Sequence, residues 1–248
     1  RSTPGLQSWA FDSLKYMRHF SKPQMNFAAF KKELKMNSKL VRLLSLSGVV
    51  AAVFYFLHVY FGIQNYPNYN SLSQAVSDLT AIDAPSFVVA SGLSALYSMF
   101  SVLGCTFLCL IVSNQINKTF RLGIYLYTMM NWVSSIGYTL FPLSGKGFQG
   151  TFQDIMHFYV VTITVVLLSI VSLILIFIGG RRNKETKVIA ILGLVALLSM
   201  FLGSIGTGVA PKEYFGVFER FSVFSVVIYT ALLGLFGYTY KNSQKPPA

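Results

Sequence analysis

The stretch 155-IMHFYVVTITVVLLSIVSLILIFI-178 is apolar throughout, and His157 is its only residue that titrates near neutral pH. A helix rises about 1.5 Å per residue, so one of this length crosses a bilayer core of about 30 Å. Asp154 stands immediately before the run. The stretch therefore predicts a membrane-spanning helix that begins with an acid and an imidazole.

The composition of the whole chain agrees with that prediction. Of its 248 residues, 54% are hydrophobic and only 11% are charged, which is too apolar for a soluble domain of this length. The net charge of +12 comes from basic residues in short segments beside the apolar runs, where topology signals lie. We therefore predict a multi-pass membrane protein that contacts membrane lipids and does not bind nucleic acid.

Six apolar runs are long enough to span a membrane, and the connections between them are too short to hold a further domain. We predict an all-α fold, a compact bundle of six transmembrane helices within residues 37–248. The predicted spans are Leu40–Ile63, Ser86–Ser113, Phe120–Leu140, Ile155–Ile178, Val188–Gly206 and Phe221–Tyr238.

The distribution of positive charge predicts the orientation. Alternate segments, including both termini, carry 17 of the 20 Lys and Arg residues. The other connections carry only Lys146, Lys212 and Arg220. Because positive charge is retained inside, both termini are expected in the cytoplasm, with the protein in the cell membrane, specifically a bacterial plasma membrane.

The acidic residues gather at the opposite, outward side. Five of the eight lie on outer connections or at the outer ends of spans: Asp78, Asp83, Asp154, Glu213 and Glu219. His157 lies there too and shares a helical face with Asp154. Either the pair simply begins an interfacial helix, with Asp154 at the positive end of the helix dipole, or it lines an outward cavity.

The first outer connection, IQNYPNYNSLSQAVSDLTAIDAPS, is long, contains no Lys or Arg, and is rich in Tyr. Loops of this length in compact proteins are usually functional or disordered. Apolar residues at helical spacing predict a short helix lying on the mouth of the bundle, namely Leu72, Ala75, Val76 and Leu79. The polar face of that helix either meets water or directs Ser77 and Asp78 towards Asp154 and His157.

A third polar cluster is the adjacent pair Glu219 and Arg220, at the start of the last span. A charge at the edge of a low-dielectric region needs a partner. We expect Arg220 to pair with Asp78 or Asp154, either as a structural network or as part of a substrate contact.

Three motifs carry a family resemblance: YPNYNSLSQAVSDLTAIDAPS, FPLSGKGFQGTFQDIMHFYVV and GVFERFSVF. In this order they resemble the bacterial membrane family catalogued as domain of unknown function 998, over about residues 40–240. That family is loosely similar to the six-span FRAG, DRAM and Sfk group. The resemblance implies six spans and assigns family-motif positions to Ser77, Asp78, Asp154, His157, Glu219 and Arg220, without giving them a role.

Residues 1–36 depart from the family. Apolar residues form an approximate stripe beside several basic ones, which predicts an amphipathic extension along anionic headgroups.

The residues at the outer side include candidate groups for a zinc site and for nucleophilic catalysis. A zinc site would need His58, His157 and a carboxylate from Asp78 or Asp154. Nucleophilic catalysis would use Ser77 with His157, but no Gly-x-Ser-x-Gly motif accompanies that serine. Phosphate-binding and dinucleotide-binding motifs are missing too, so we predict no metal and no cofactor.

The functional hypothesis is an outward polar pocket that binds a lipid headgroup or small amphiphile through Ser77, Asp78, Asp154, His157, Glu219 and Arg220. A second hypothesis is an intramembrane enzyme, a lipid hydrolase or transferase at the outer leaflet. There His157 would be the general acid or base, oriented by Asp154 or Asp78. A third is a structural subunit, in which the polar residues only hold the loop over the bundle.

Overall fold

The computed structural model describes residues 38–113 and 116–240. The predicted extension, residues 1–36, lies outside these ranges. Within them the protein is all-helical and contains no β-strand, which confirms the predicted fold class. The six long helices are α1, Lys39–Gln64; α2, Phe87–Val112; α3, Lys118–Leu140; α4, Phe152–Gly180; α5, Lys187–Val209; and α6, Phe215–Thr239.

Two of the long helices are not uniform. A turn at Leu46 separates Ser38–Ser45 from Ser47–Gln64 in α1. The second irregularity is a π-helical segment, Met156–Thr162, near the start of α4. Short 3₁₀ turns occur at Val76–Thr80, between α1 and α2, and at Lys212–Tyr214, just before α6.

Five of the long helices are long and apolar enough to cross a membrane, as expected of a multi-pass membrane protein. In their most apolar windows only 28% to 39% of the residues are buried inside the protein. Helices that are hydrophobic on all sides place the remaining apolar surface against lipid. The helix outside this set is α3. It is as long as α5, with 23 residues, but its sequence is more polar.

Helices that follow one another in sequence pack together, from α1 with α2 through to α5 with α6. The bundle closes because α6 also packs on α1 and, less extensively, on α2. The largest buried core fills the half of the bundle far from the 76–80 turn, and two fully buried tyrosines, Tyr127 and Tyr229, meet there edge to face.

In that half, α1 and α2 touch through their backbones. A Cβ atom placed on Gly104 of α2 would lie 2.5 Å from the backbone nitrogen of Gly48 in α1. Another glycine of α2, Gly92, has nothing within 4 Å of the same position. Small residues permit this close approach of membrane helices, so Gly104 is a packing requirement and Gly92 is not.

We expect Gly104→Ala to destabilise the protein by about 1–3 kcal/mol, because the added methyl group forces the α1 backbone away. Gly92→Ala should be neutral or slightly stabilising, since alanine has the higher helix propensity. The measurement is thermal loss of the helical circular dichroism signal in detergent micelles. Equal melting temperatures for the two variants would contradict the backbone contact.

Candidate functional site

Two connections cover one end of the bundle: residues 65–86, between α1 and α2, and residues 141–151, between α3 and α4. Together they are called the cap here. They contact each other, since the Ile82 amide donates to the Leu143 carbonyl at 2.9 Å and Leu143 packs against Ala81 and Ala84. The predicted site residues all lie in the cap or in the ends of α4 and α6 beside it.

The predicted helix of the first connection is only a five-residue 3₁₀ turn, Val76–Thr80. Its apolar contact is nevertheless real, because Val76 and Leu79 are fully buried against α1 and α2 residues. Leu72 was predicted on the same face and instead is 54% exposed. The helical spacing failed there because the backbone before Val76 is extended, with Ala75 at ψ 153°.

The side chain of Arg220 fastens this connection to α6. Its Nη1 donates to the carbonyl oxygens of Ser71 at 2.7 Å and Gln74 at 3.0 Å, and to Gly216 within α6. Its Nη2 donates to the hydroxyl of Tyr69 at 2.8 Å. Arginine suits this role because its planar donors reach several acceptors at once. Among the described residues, Asp78 and Asp154 are not hydrogen-bond partners of Arg220, unlike the predicted pairing.

The hydroxyl of Tyr69 extends the same contact. It donates to the carbonyl oxygen of Ala75 at 2.7 Å while accepting from Arg220. Burial raises the pKa of Tyr69 to about 12, although the nearby guanidinium lowers it. Tyr69 therefore stays a neutral donor in the cap. No sequence motif singled it out.

Glu219 contributes the complementary acceptor. Its Oε2 accepts a hydrogen bond of 3.2 Å from the Val76 amide, the first residue of the 3₁₀ turn. The adjacent residues Glu219 and Arg220 thus bind one peptide N–H and several peptide carbonyls of the same loop.

Asp78 links the two connections of the cap. Its Oδ2 accepts from the Ala75 amide at 3.2 Å, and its Oδ1 accepts from the Gly147 amide at 3.1 Å. Burial raises the pKa of the Asp78 carboxyl, while the two amides and the Lys146 charge oppose that shift. Asp78 thus binds the same connection as Asp154, whereas the predicted alternative had both Ser77 and Asp78 pointing towards Asp154 and His157.

Asp154 organises residues 144–151. Its carboxylate accepts from the backbone amide and hydroxyl of Ser144 and from the Gln149 amide, at 2.8–3.0 Å. It also accepts weakly from the amide of Thr151, whose hydroxyl accepts from the Asp154 amide. This reciprocal arrangement is a capping box at the start of α4. The geometry agrees with the interpretation of Asp154 as part of a helix start.

His157 bonds to the same connection through another residue. Its Nδ1 lies 2.7 Å from the carbonyl oxygen of Phe141. A carbonyl only accepts hydrogen bonds, so Nδ1 carries the proton and a neutral imidazole keeps its lone pair on Nε2. Phe141, and not Asp154 or Asp78, therefore orients the ring.

The backbone around His157 is unusual, because the π-helical segment begins at the residue before it. Thr162 supports this wide turn by donating its hydroxyl to the His157 carbonyl at 2.8 Å, and it also bonds to the Tyr138 hydroxyl at 3.1 Å. π-Helical turns are rare and frequently occur at functional sites.

The contacts of Ser77 and His58 differ from those that nucleophilic catalysis or a zinc site would need. Ser77 is half-buried, and its carbonyl oxygen accepts a hydrogen bond from the Thr80 hydroxyl. It makes no hydrogen bond to His157 within residues 38–113 and 116–240. His58 is buried with its Nδ1 2.8 Å from the Tyr55 carbonyl. In that same part of the chain, no group of three or more His, Cys, Asp or Glu side chains could hold a metal ion.

Three tyrosines beneath the cap form a group that sequence reasoning missed, called the tyrosine cluster here: Tyr55, Tyr97 and Tyr138. The rings of Tyr55 and Tyr97 lie 4.8 Å apart, and the ring of Tyr138 lies 4.8 Å from the His157 imidazole. Val76, whose amide donates to Glu219, packs in the same buried cluster as Tyr55 and Tyr97. No signal in the sequence singled these tyrosines out, because other tyrosines also lie within the predicted spans.

We expect Asp154→Asn to lower stability by about 1–3 kcal/mol, since the amide nitrogen turns a donor towards N–H groups that require an acceptor. Asp83→Asn is the matched control, because Asp83 is an exposed carboxylate of the cap. The buried thiol of Cys105 supplies the measurement, as its reaction with a thiol-specific dye on heating reports unfolding. An Asp154→Asn protein that melts with the control would contradict this account of the helix start.

A family model described as a protein of unknown function, DUF998, matches residues 49–235. No curated protein and no solved structure matches the chain. The matched range contains the whole cap, the tyrosine cluster, and all six predicted site residues. Because it covers well over half of the sequence, the chain belongs to the DUF998 family, as its three motifs implied.

Proposed function

We propose that this protein spans the membrane six times and that its cap covers a site for a lipid headgroup or a small amphiphile. The sixth span is α3. It has 23 residues, about 35 Å at the usual rise, and packs between α2 and α4. Its lower hydropathy arises in part from buried polar residues, Thr128 and Asn131, which face neighbouring helices.

In this proposal the cap faces outward and both chain ends lie in the cytoplasm. The cap contains a single basic residue, Lys146, whereas the connection between α4 and α5 contains three and is followed by Lys187 at the start of α5. Such an asymmetry is what the retention of positive charge inside produces. The site then opens towards the outer leaflet of a plasma membrane.

The contacts of the Glu219 side chain are the observation that best supports a binding site. One carboxylate oxygen of Glu219 accepts from the Val76 amide of the cap, and Val76 packs in the same buried cluster as Tyr55 and Tyr97. Ionisable groups within membrane proteins usually mark a ligand or ion site. Asp78, Asp154 and Arg220 are engaged by cap backbone, so in this proposal they hold the cover and Glu219 and His157 contact the ligand.

The enzyme hypothesis remains as the second candidate because of one observation. The Nε2 lone pair of a neutral His157 can accept a proton, and the ring stands at a π-helical turn. Here the Phe141 carbonyl would be the orienting group.

We expect Lys146→Cys to react with a membrane-impermeant maleimide in intact cells, and Lys184→Cys to react only after the membrane is permeabilised. Both positions are exposed and lie at opposite ends of the bundle. The native thiols, Cys105 and Cys109, are buried or half-buried within α2 and should remain unlabelled. The reverse labelling pattern would contradict the proposed orientation.

We expect the protein, extracted from nanodiscs of mixed phospholipids, to retain lipid that native mass spectrometry can count. His157→Ala should reduce that retention severalfold, because it removes a contact of the site. Ile155→Ala, on the exposed side of the same helix, is the matched control.

The outcome also separates the alternatives. A His157→Ala protein that retains lipid but no longer converts it would favour the enzyme hypothesis. A variant that only melts earlier, with retention unchanged, would identify the polar cluster as structural and contradict the proposed site.

A further inference from the structure

We infer that the site beneath the cap selects an amphiphile with a positively charged ammonium group. This inference rests on the proposed function, since it names the chemical class that the same site takes.

Among the described residues, every fully enclosed side-chain nitrogen or oxygen has a hydrogen-bond partner. The second carboxylate oxygen of Glu219, Oε1, and the hydroxyls of Tyr55 and Tyr97 have none within the same residues. These three atoms therefore keep some accessible surface. Nε2 of His157 is in the same situation.

The free atoms share one chemical character. A carboxylate oxygen only accepts hydrogen bonds, and so does the Nε2 lone pair of a neutral imidazole. The tyrosine hydroxyls can accept as well as donate. A ligand that meets this set must bring N–H donors or a positive charge.

The aromatic side chains around these atoms also favour a positively charged ligand. Tyr55 lies edge to face against Tyr97 and His58, with centroids 4.8 Å and 4.7 Å apart, and Phe224 closes the group at 6.1 Å from Tyr55. The faces of aromatic rings attract cations, and groups of such rings recognise ammonium ligands. A carboxylate beside several rings strengthens that attraction.

The nearby arginine does not supply an anion site in its place. Arg220 binds the same loop as Glu219, and its guanidinium already has acceptors there. Its Nη1 is engaged by three carbonyl oxygens, and Nη2 binds Tyr69 in the cap. A phosphate or sulfate group would find few free donors and would face the carboxylate of Glu219.

Ammonium groups could come from a lipid, such as phosphatidylethanolamine, or from a free amphiphilic amine. The experiment uses protein in nanodiscs of equal phosphatidylethanolamine and phosphatidylglycerol, with retained lipid identified by native mass spectrometry. Separate samples in maltoside detergent receive dodecylamine or dodecyl sulfate, which have the same chain and opposite charge.

We expect at least tenfold preference for phosphatidylethanolamine over phosphatidylglycerol, or, if the source is a free amine, binding of dodecylamine without retained lipid. Glu219→Gln should bring the preference close to one. Glutamine still accepts from the Val76 amide, so the cap contact survives. Glu213→Gln, at an exposed carboxylate just before α6, should keep the wild-type preference.

Three contrary outcomes have different meanings. Wild-type protein that retains both lipids equally, or prefers phosphatidylglycerol or dodecyl sulfate, overturns the ammonium selectivity but leaves a lipid site. Wild-type protein that retains no lipid and binds neither dodecyl compound overturns the proposed function itself. A Glu219→Gln protein that melts like wild type and keeps the tenfold preference contradicts the assignment of the Glu219 carboxylate as the group that selects the ammonium ligand.

Discussion

The cap stays on the bundle because two adjacent side chains of α6 satisfy its backbone. Irregular chain beside a membrane cannot leave peptide groups without partners. Arg220 supplies donors to the carbonyl oxygens of Ser71 and Gln74, and Glu219 supplies an acceptor to the Val76 amide. A carboxylate and a guanidinium at neighbouring positions can therefore hold a loop that has almost no regular structure of its own.

The second connection depends on a similar use of charge. Asp78 and Asp154 approach residues 144–149 from different elements, and both bind backbone amides there. His157 adds a bond to the Phe141 carbonyl. Asp78 and Asp154 thus lie at this end of the bundle because a cluster of loop amides needs acceptors, whereas Glu219 uses only one of its carboxylate oxygens in this way.

The sequence predicted the positions of the long helices well, because a span needs a continuous apolar run and little else. It also gathered the polar residues at one end. It did not predict their partners: Arg220 was paired with acids by charge, whereas unsatisfied loop carbonyls took its donors. Which loop carbonyl groups lack a backbone partner depends on the path of the loop. The short helix at Leu72 failed for the same reason, and Tyr55, Tyr97 and Tyr138 were missed because tyrosine is ordinary in an apolar helix.

The contacts of α1 with α6 change in kind along their length. Far from the cap, a Cβ atom on Gly234 would lie 2.7 Å from the Ser45 carbonyl oxygen, so no side chain separates the two backbones. Near the cap, the rings of Phe56 and Phe224 stand between them with centroids 5.3 Å apart. The two backbones therefore touch at the end far from the cap and are separated by aromatic rings near it, so a smaller side chain at Phe224 would let α1 and α6 approach more closely beside the cap.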